Sequence, residues 1–541
     1  MAASILFNHW NWIRDGQGAE ALVARTEPVL DSGHVSPLMQ LWWRTHLSFW
    51  HFLNGRYERS AAVADEAHAI AGRYGLEAYL FEIDHARAEA LISANELEAA
   101  QALVDAIEQR LAPTRRMDAA YFHFLRSTLR QRQARHADAL RDAERALVLA
   151  RETGLPVLQL PTFVARQAQA RAGCGDYEAA LADLDAASAA AATPAERQHL
   201  GRQRELMAAE RSLARGDTAA AAMQLGAVLA GYRARHTLAF VRNRPDAAAR
   251  LAAFALAQGI EPDFVRLLIE RNRLQPPPGA GPAWPYRLRL HALGGFTIVR
   301  DGQPLRFTGK AQQRPLDLLK LLVAIGGREV DVQALTDALW PEAEGDAAKT
   351  SFDSTLFRLR KLLDVEDALP LAGGKLSLEP TRVWTDVAWL QARLELASEA
   401  LSAATAGHAA PARQAAIALL QAWTGPLLGD ESPAWVLRPR DALHARVVGM
   451  LARLGETLER DGDPAAAVAL YRRALEIDNL AETLHRALMR VLAAAGDHAE
   501  ALAAYRRCRE LLARVLGAPP SAETEALHER VLAAALAGPR A

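Results

Sequence analysis

Cysteine is nearly missing from this sequence: there are two in 541 residues, Cys174 and Cys508, far apart in the chain. Two distant thiols build neither a disulfide framework nor a spaced zinc-ligand set, and such residues serve as small buried hydrophobes in a reducing compartment. Long apolar runs are missing too. Nothing approaches the roughly eighteen consecutive apolar residues of a membrane helix, and no basic segment followed by an apolar core opens the chain, so the sequence predicts a cytoplasmic protein with no membrane role. Nor is there a surplus of charge of one sign, since 63 basic residues face 64 acidic ones for a net charge of −1. No global field draws this chain to nucleic acid, and any such contact has to be local.

Catalytic signatures are also absent. Gly309-Lys310 and Gly374-Lys375 suggest phosphate loops, but Pro304 and Leu369 stand where the earlier glycine is needed, and Ala311 and Leu376 follow the lysines. The sixteen histidines are scattered, and His9, His46, His51, His85 and His123 fall on expected helices. No Gly-x-Ser-x-Gly elbow or His-Glu-x-x-His pair occurs, so the sequence predicts no enzyme, no cofactor and no metal site.

What is present is half-apolar, alanine-rich sequence, long enough for several domains and made of strong helix formers. Over residues 1–275 it repeats itself. Turn residues beginning at Gly16, Gly55, Asn95, Arg135, Gly175 and Gly216 each precede an amphipathic segment, at separations of 39, 40, 40, 40 and 41 residues. Each unit fits two antiparallel helices, and stacked units form a superhelix with a concave binding surface. This region resembles the tetratricopeptide-like sensor of the maltose-regulator type of bacterial activator, which implies an effector, small molecule or protein, at the repeats. Trp10, Trp12, Trp42, Trp43, Phe49, Trp50, Phe52 and Tyr57 crowd the first units, and two readings stay open: packing between helices, or a ligand groove.

Residues 276–285 are rich in proline and glycine, and are read as a semi-rigid linker. From 286 the pattern changes. Short apolar runs punctuated by Gly294-Gly295 and Asp301-Gly302 predict a small antiparallel sheet. Helices follow over 311–325, 332–339 and 346–363, and then a hairpin over 369–384 turning at Gly373-Gly374. On the third helix Phe352, Leu356, Leu359 and Leu363 share one arc, while Thr350, Ser354, Phe357, Arg358 and Lys361 lie opposite. Beyond Asp346 at its start, Lys349, Arg358, Arg360 and Lys361 outnumber the single acid Asp353 outside the buried arc. That order predicts a winged helix with an extra N-terminal sheet.

Residues LGGF at Leu293 to Phe296, RDGQPL at Arg300 to Leu305, DALWP at Asp337 to Pro341 and LFRLRKLL at Leu356 to Leu363 resemble the OmpR/PhoB-class DNA-binding domain carried by SARP-type bacterial activators. QAWTGPLLGD at Gln421 to Asp430 and GDHAEALAAYRRCRELL at Gly496 to Leu512 resemble the bacterial transcriptional activation domain that follows it. Gly462 and Gly496, and Tyr471 and Tyr505, recur there at 34 residues, the tetratricopeptide period. The expected fold is therefore mainly α: a helical superhelix (1–275), a linker (276–285), a winged helix-turn-helix with small antiparallel sheets (286–385), a second tetratricopeptide-like domain (386–535) and a tail (536–541).

By this resemblance Ser354, Phe357, Arg358 and Lys361 take DNA-contact positions and Thr350 a backbone-phosphate position, with Lys349 and Arg360 adding charge. Arg358 suits guanine, and Phe357 stands where a polar residue is expected, which places it against a thymine methyl or leaves it merely tolerated. Lys375 and Arg382 are the wing candidates; Lys310 and Arg314 are further cations at the first helix. Residues 286–385 hold fourteen basic and thirteen acidic residues, so one protomer should bind weakly and specific binding should need a homo-oligomer on promoter direct repeats, beside RNA polymerase. An effector at the repeats would shift the chain between a form that shields the DNA-binding face and one that pairs on DNA. The resemblance also implies an NTPase ahead of the repeats, where this sequence begins directly within them. That is read either as regulation without nucleotide or as a segment encoded upstream of Met1. The rival reading is a repeat scaffold that binds proteins and no DNA.

Overall fold

The structure, a computed structural model, describes the chain apart from residues 1–15, 31–33, 156–159, 192, 235–243, 308–312, 344, 366, 404–408 and 538–541. Trp10, Trp12 and Lys310 lie outside the described residues. Two compact units are present, Met1–Pro277 and Pro278–Ala541.

The first unit is a tetratricopeptide-like array of α1 (Gly16–Leu30), α2 (Pro37–Leu53), α3 (Tyr57–Tyr74), α4 (Leu80–Ala94), α5 (Leu97–Arg110), α6 (Arg116–Arg132), α7 (His136–Glu152), α8 (Leu160–Gly173), α9 (Tyr177–Ala189), α10 (Pro194–Ala214), α11 (Thr218–Ala234), α12 (Pro245–Ala257) and α13 (Pro262–Arg271). Left-handed residues join the paired helices at the expected turns, as at Gly55 (φ +72°) and Gly175 (φ +85°), a conformation glycine adopts without steric penalty. In the fourth turn Ala134 (φ +59°), rather than Arg135, takes that conformation. Arg135 instead reaches forward to Asp138 at 2.6 Å.

Alanine lets the helices approach closely. Ala64, Ala67 and Ala71 on α3, and Ala139, Ala143, Ala146 and Ala150 on α7, are all buried. Helical spacing of three or four puts each set on one face. Among the aromatics, Trp43, Trp50, Phe52 and Tyr57 are buried, whereas Trp42 is 37% exposed and meets Tyr79 edge-on. Packing between helices thus accounts for most of the described ones. The last helix returns to the early repeats: Arg273 pairs with Glu58, and the Arg271 carbonyl lies 3.0 Å from where a Cβ on Gly55 would stand.

The second unit opens with β1 (Leu288–His291), β2 (Thr297–Arg300) and β3 (Gln303–Pro304), then α14 (Gln313–Ala324), β4 (Val330–Asp331), α15 (Val332–Leu339) and α16 (Gly345–Leu363). The hairpin strands β5 (Leu371–Ala372) and β6 (Lys375–Leu376) follow, and then β7 (Val383–Thr385). The first sheet runs β3-β2-β1-β7, antiparallel except that β7 lies parallel to β1, with Leu288 opposite Val383. The antiparallel sheet expected ahead of the first helix is β1 to β3, and β7, which the sequence placed at the end of the hairpin, joins it as a fourth strand. The parallel pair arises because the chain leaving the hairpin returns alongside the strand that began the module. The second sheet, β4-β6-β5, is antiparallel throughout.

Helices α17 (Asp386–Ala403), α18 (Ala409–Ala422), α19 (Ala434–Arg460), α20 (Pro464–Ile477), α21 (Glu482–Ala494), α22 (His498–Leu516) and α23 (Ala522–Ala537) complete the unit. One apolar core runs through it, from Leu288 in β1 to Val531 in α23. The stretch read as a linker is partly folded onto this body. Ala280 and Trp284 are buried, and the Gly279 carbonyl accepts a hydrogen bond from Arg393 at 2.7 Å. Proline excludes helix and sheet interior there, but an indole still gains by burying its apolar area.

Burial drives the His46 and His51 imidazoles down to about 4, His51 with added repulsion from Arg56 and Arg59. An unfolded histidine takes up its proton near pH 6.5. These two resist it until about 4, so their contribution to stability is complete above pH 6.5 and is lost as pH falls towards 4. The first unit's resistance to denaturant is expected to fall progressively as pH drops through that window, and the double substitution His46→Gln, His51→Gln should flatten the loss. An unchanged slope in the double variant would assign the acid sensitivity elsewhere.

Candidate nucleic-acid interface

Helix α16 presents one face to the core and the other to solvent. Ala348, Phe352, Thr355, Leu356, Leu359 and Leu363 are buried, while Lys349, Thr350, Asp353, Ser354, Phe357, Arg358, Arg360 and Lys361 are exposed. Phe357 is 69% exposed. Burying a phenylalanine relative to leaving it in water is worth about 1.5–3 kcal/mol, so an aromatic ring standing this far out forgoes that gain.

Several of these side chains are turned back on their own helix. The Thr350 hydroxyl donates to the Asp346 carbonyl at 2.8 Å and the Ser354 hydroxyl to the Ser351 carbonyl at 3.0 Å. Both therefore present lone pairs outward in this state. Arg358 lies along the helix, its Nε donating to the Ser354 carbonyl at 3.2 Å. Arg360 has a structural bond as well, since Nη2 donates to the Leu369 carbonyl at 2.6 Å and ties the helix to the entrance of the hairpin. The C-terminus of α16 is held by Arg300, whose Nη1 donates to the Leu363 carbonyl at 3.1 Å.

The hairpin turns at Gly373 (φ +56°) and Gly374 (φ +75°) between paired Ala372 and Lys375. Two consecutive positive φ values define a type I′ turn, which matches the twist of the flanking strands. The Gly374 carbonyl accepts from the Val332 N–H at 2.9 Å, which anchors the turn to the start of α15. Lys375 and Arg382 are both exposed, Lys375 with Glu329 3.8 Å away. The expected site residues thus fall in two places: seven on the outer face of α16, and Lys375 and Arg382 on the hairpin and its exit. Arg314 is bonded to the Leu339 carbonyl at 3.2 Å and acts as a strut between α14 and α15.

Sequence reading passed over Arg328. It is exposed between Gly327, whose carbonyl accepts from Leu378 N–H at 2.7 Å, and Glu329, whose N–H donates to the Ser377 hydroxyl at 2.8 Å. These two bonds set it beside the base of the hairpin. A cation directly after the Gly326-Gly327 helix stop was the available signal.

The LGGF and TGPLLGD segments prove to be two halves of one contact. Leu293 bridges Leu427, Gly294 N–H donates to the Pro426 carbonyl at 2.8 Å, and Leu428 N–H donates to the Ala292 carbonyl at 2.6 Å. From the start of α17 the buried Asp386 carboxylate accepts from the Ala292 and Leu293 N–H groups at 2.8 and 2.9 Å. Burial pushes this carboxyl up, against the pull of the same backbone N–H groups. Lys320 on α14 pairs with Glu431 at 2.6 Å and covers the Phe296 ring. The module that carries α16 is therefore fastened to the helices that follow it.

Residues 385–532 match the family model of the bacterial transcriptional activator domain. Regulatory protein AfsR of Streptomyces coelicolor is 34% identical over 248 residues, which is 46% of this chain and 24% of AfsR. Transcriptional regulatory protein EmbR of Mycobacterium tuberculosis is 30% identical over 258 residues, 46% of this chain and 63% of EmbR. The chain thus covers about a quarter of AfsR and under two thirds of EmbR. A solved structure of Mycobacterium tuberculosis EmbR in complex with a low-affinity phosphopeptide shares 27% identity, covers 46% of this chain and 65% of its own, and superposes loosely, with a TM-score of 0.36.

Close backbone approach at the two-module contact predicts a sharp mutational response. A Cβ on Gly425 (φ +147°) would stand 2.7 Å from Gly294 Cα, whereas one on Gly449 in α19 meets nothing within 4 Å. Gly425→Ala is expected to lower the stability of the second unit by roughly 1–3 kcal/mol in urea denaturation, while Gly449→Ala leaves it unchanged or raises it by up to about 1 kcal/mol. Equal effects of the two would remove the contact from the account.

The C-terminal half of this chain is thus similar to the transcriptional regulators AfsR and EmbR, with a module that carries α16 fastened to a segment that matches the bacterial transcriptional activator domain.

Proposed function

We propose that the protein is a sequence-specific DNA-binding transcription regulator, an activator, in which α16 enters the major groove and the β5–β6 hairpin reaches the flanking backbone. The observation that carries this reading is the outer face of α16: an exposed row with a bare aromatic ring and basic residues towards its C-terminal end, beside an exposed, glycine-turned hairpin. Arg358 and Lys361 supply charge, Arg358 with the fork geometry that pairs with guanine O6 and N7. Thr350 and Ser354 supply short polar contacts, and Phe357 an apolar surface for a thymine methyl. Lys349, Lys375 and Arg382 add contacts to phosphate, which position the protein without reading sequence. Arg360 reaches DNA only by leaving the Leu369 carbonyl.

Near-neutral charge over 286–385 gives one protomer little nonspecific affinity. Protomers therefore assemble on promoter direct repeats, where the helices after the winged helix bring RNA polymerase to the site. The N-terminal repeats hold an effector that biases this equilibrium. The protein has no catalytic role in this scheme.

Arg358→Ala combined with Lys361→Ala should reduce promoter affinity by roughly tenfold or more in electrophoretic or anisotropy titrations, and binding to two adjacent half-sites should be cooperative. Unchanged promoter occupancy by the double variant, with its activity in cells intact, would favour the scaffold reading, in which the winged helix contacts only protein.

A further inference from the structure

Asp353 is the acid that the interface does not explain. It stands near the middle of α16, exposed, on the same outward-facing half as Lys349, Phe357 and Lys361. Asp346, the other acid of this helix, sits in the first turn, where the positive end of the helix dipole favours a carboxylate. Asp353 is two turns further on and gains nothing from that end. Among the described residues no cation is recorded within 4.0 Å of its carboxylate, although Lys349 is one turn earlier and Phe357 one turn later.

A carboxylate carried into the major groove meets a strongly restrictive surface. Phosphate oxygens repel it, as do guanine N7 and O6 and thymine O4, all acceptors. Only the amino groups of cytosine and adenine donate there. Adenine sets its N7 acceptor beside the amino group, against the second carboxylate oxygen, whereas the neighbour of the cytosine N4 amino group in the groove is a C–H edge. Five residues along the helix, Arg358 lies about 140° around from Asp353, with Phe357 between them. The two charges thus flank the aromatic ring on opposite sides of the helix, where they face different strands of a duplex.

Resting on the proposed entry of α16 into the major groove, we propose that Asp353 is a specificity-determining residue that accepts a hydrogen bond from the N4 amino group of a cytosine on the strand opposite the one read by Arg358. Its charge opposes binding to every other base at that position, so it sharpens sequence choice at the expense of general affinity for DNA.

Selection of bound sites from a random duplex library tests this with the full-length chain and its Asp353→Ala and Asp353→Asn variants. The wild-type chain should enrich a motif with one cytosine per half-site that Asp353→Ala no longer selects. Discrimination there should fall from roughly 5- to 150-fold to less than about twofold, with the other positions unchanged. Nonspecific affinity of Asp353→Ala should equal or exceed that of wild type, because a negative charge has been removed. Asn donates as well as accepts, so Asp353→Asn should shift the preferred base towards adenine. A variant motif identical to the wild-type motif at every position overturns the role of Asp353 while leaving DNA recognition by α16 intact. Failure of the wild-type chain to enrich any sequence overturns both.

Discussion

The second unit depends on one buried carboxylate. Asp386 takes the backbone N–H groups of Ala292 and Leu293 out of water and satisfies them both. Without it these donors would be buried with no acceptor, at a penalty of about 1–3 kcal/mol each. Around that anchor the glycines at 294 and 425 bring two backbones close enough that a single added carbon on either has no room. The consequence is geometric. The winged helix does not swing on a tether beside the activator domain but shares its core, so the outer face of α16 has a set direction relative to the helices behind it. The proposed function, in which a DNA-reading helix and a polymerase-facing surface act together, needs such a fixed relation.

Much of this was legible in the sequence because the signals are local. Helix α15 spans the expected residues, and α16 begins one residue earlier than expected. Their apolar spacing, the Gly326-Gly327 stop and the Trp340-Pro341 break act within a turn or two of the residues they govern. Glycine pairing at 373 and 374 likewise announced its hairpin. The turns of the first unit were legible for the same reason, apart from the fourth, where Ala134 accepts the left-handed conformation next to an arginine that looked like the turn residue.

What escaped sequence reading is non-local. Three residues, Val383 to Thr385, cannot show which strand they will join, and their parallel pairing with β1 spans most of the module. The outer face of α16 was read correctly as exposed, but a helical wheel does not show that Arg360 is engaged with the Leu369 carbonyl or that Thr350 and Ser354 donate back to their helix. The proline-rich stretch was read from its composition as a spacer, and Trp284 with Arg393 folds part of it down. LGGF and TGPLLGD were recognisable as signatures, yet their contact appears only in the folded chain.

Proximity of α16 to bases is the central claim, and site-directed cleavage of bound DNA measures it most directly. Cys508 is buried and Cys174 exposed, so a Cys174→Ser background with Ala347→Cys places one reactive thiol on α16. An iron chelate attached there should cut promoter DNA within the major groove at the centre of each half-site, and one attached at Lys375→Cys should cut at the flanks. Cleavage absent from both positions while the promoter remains bound would contradict the account.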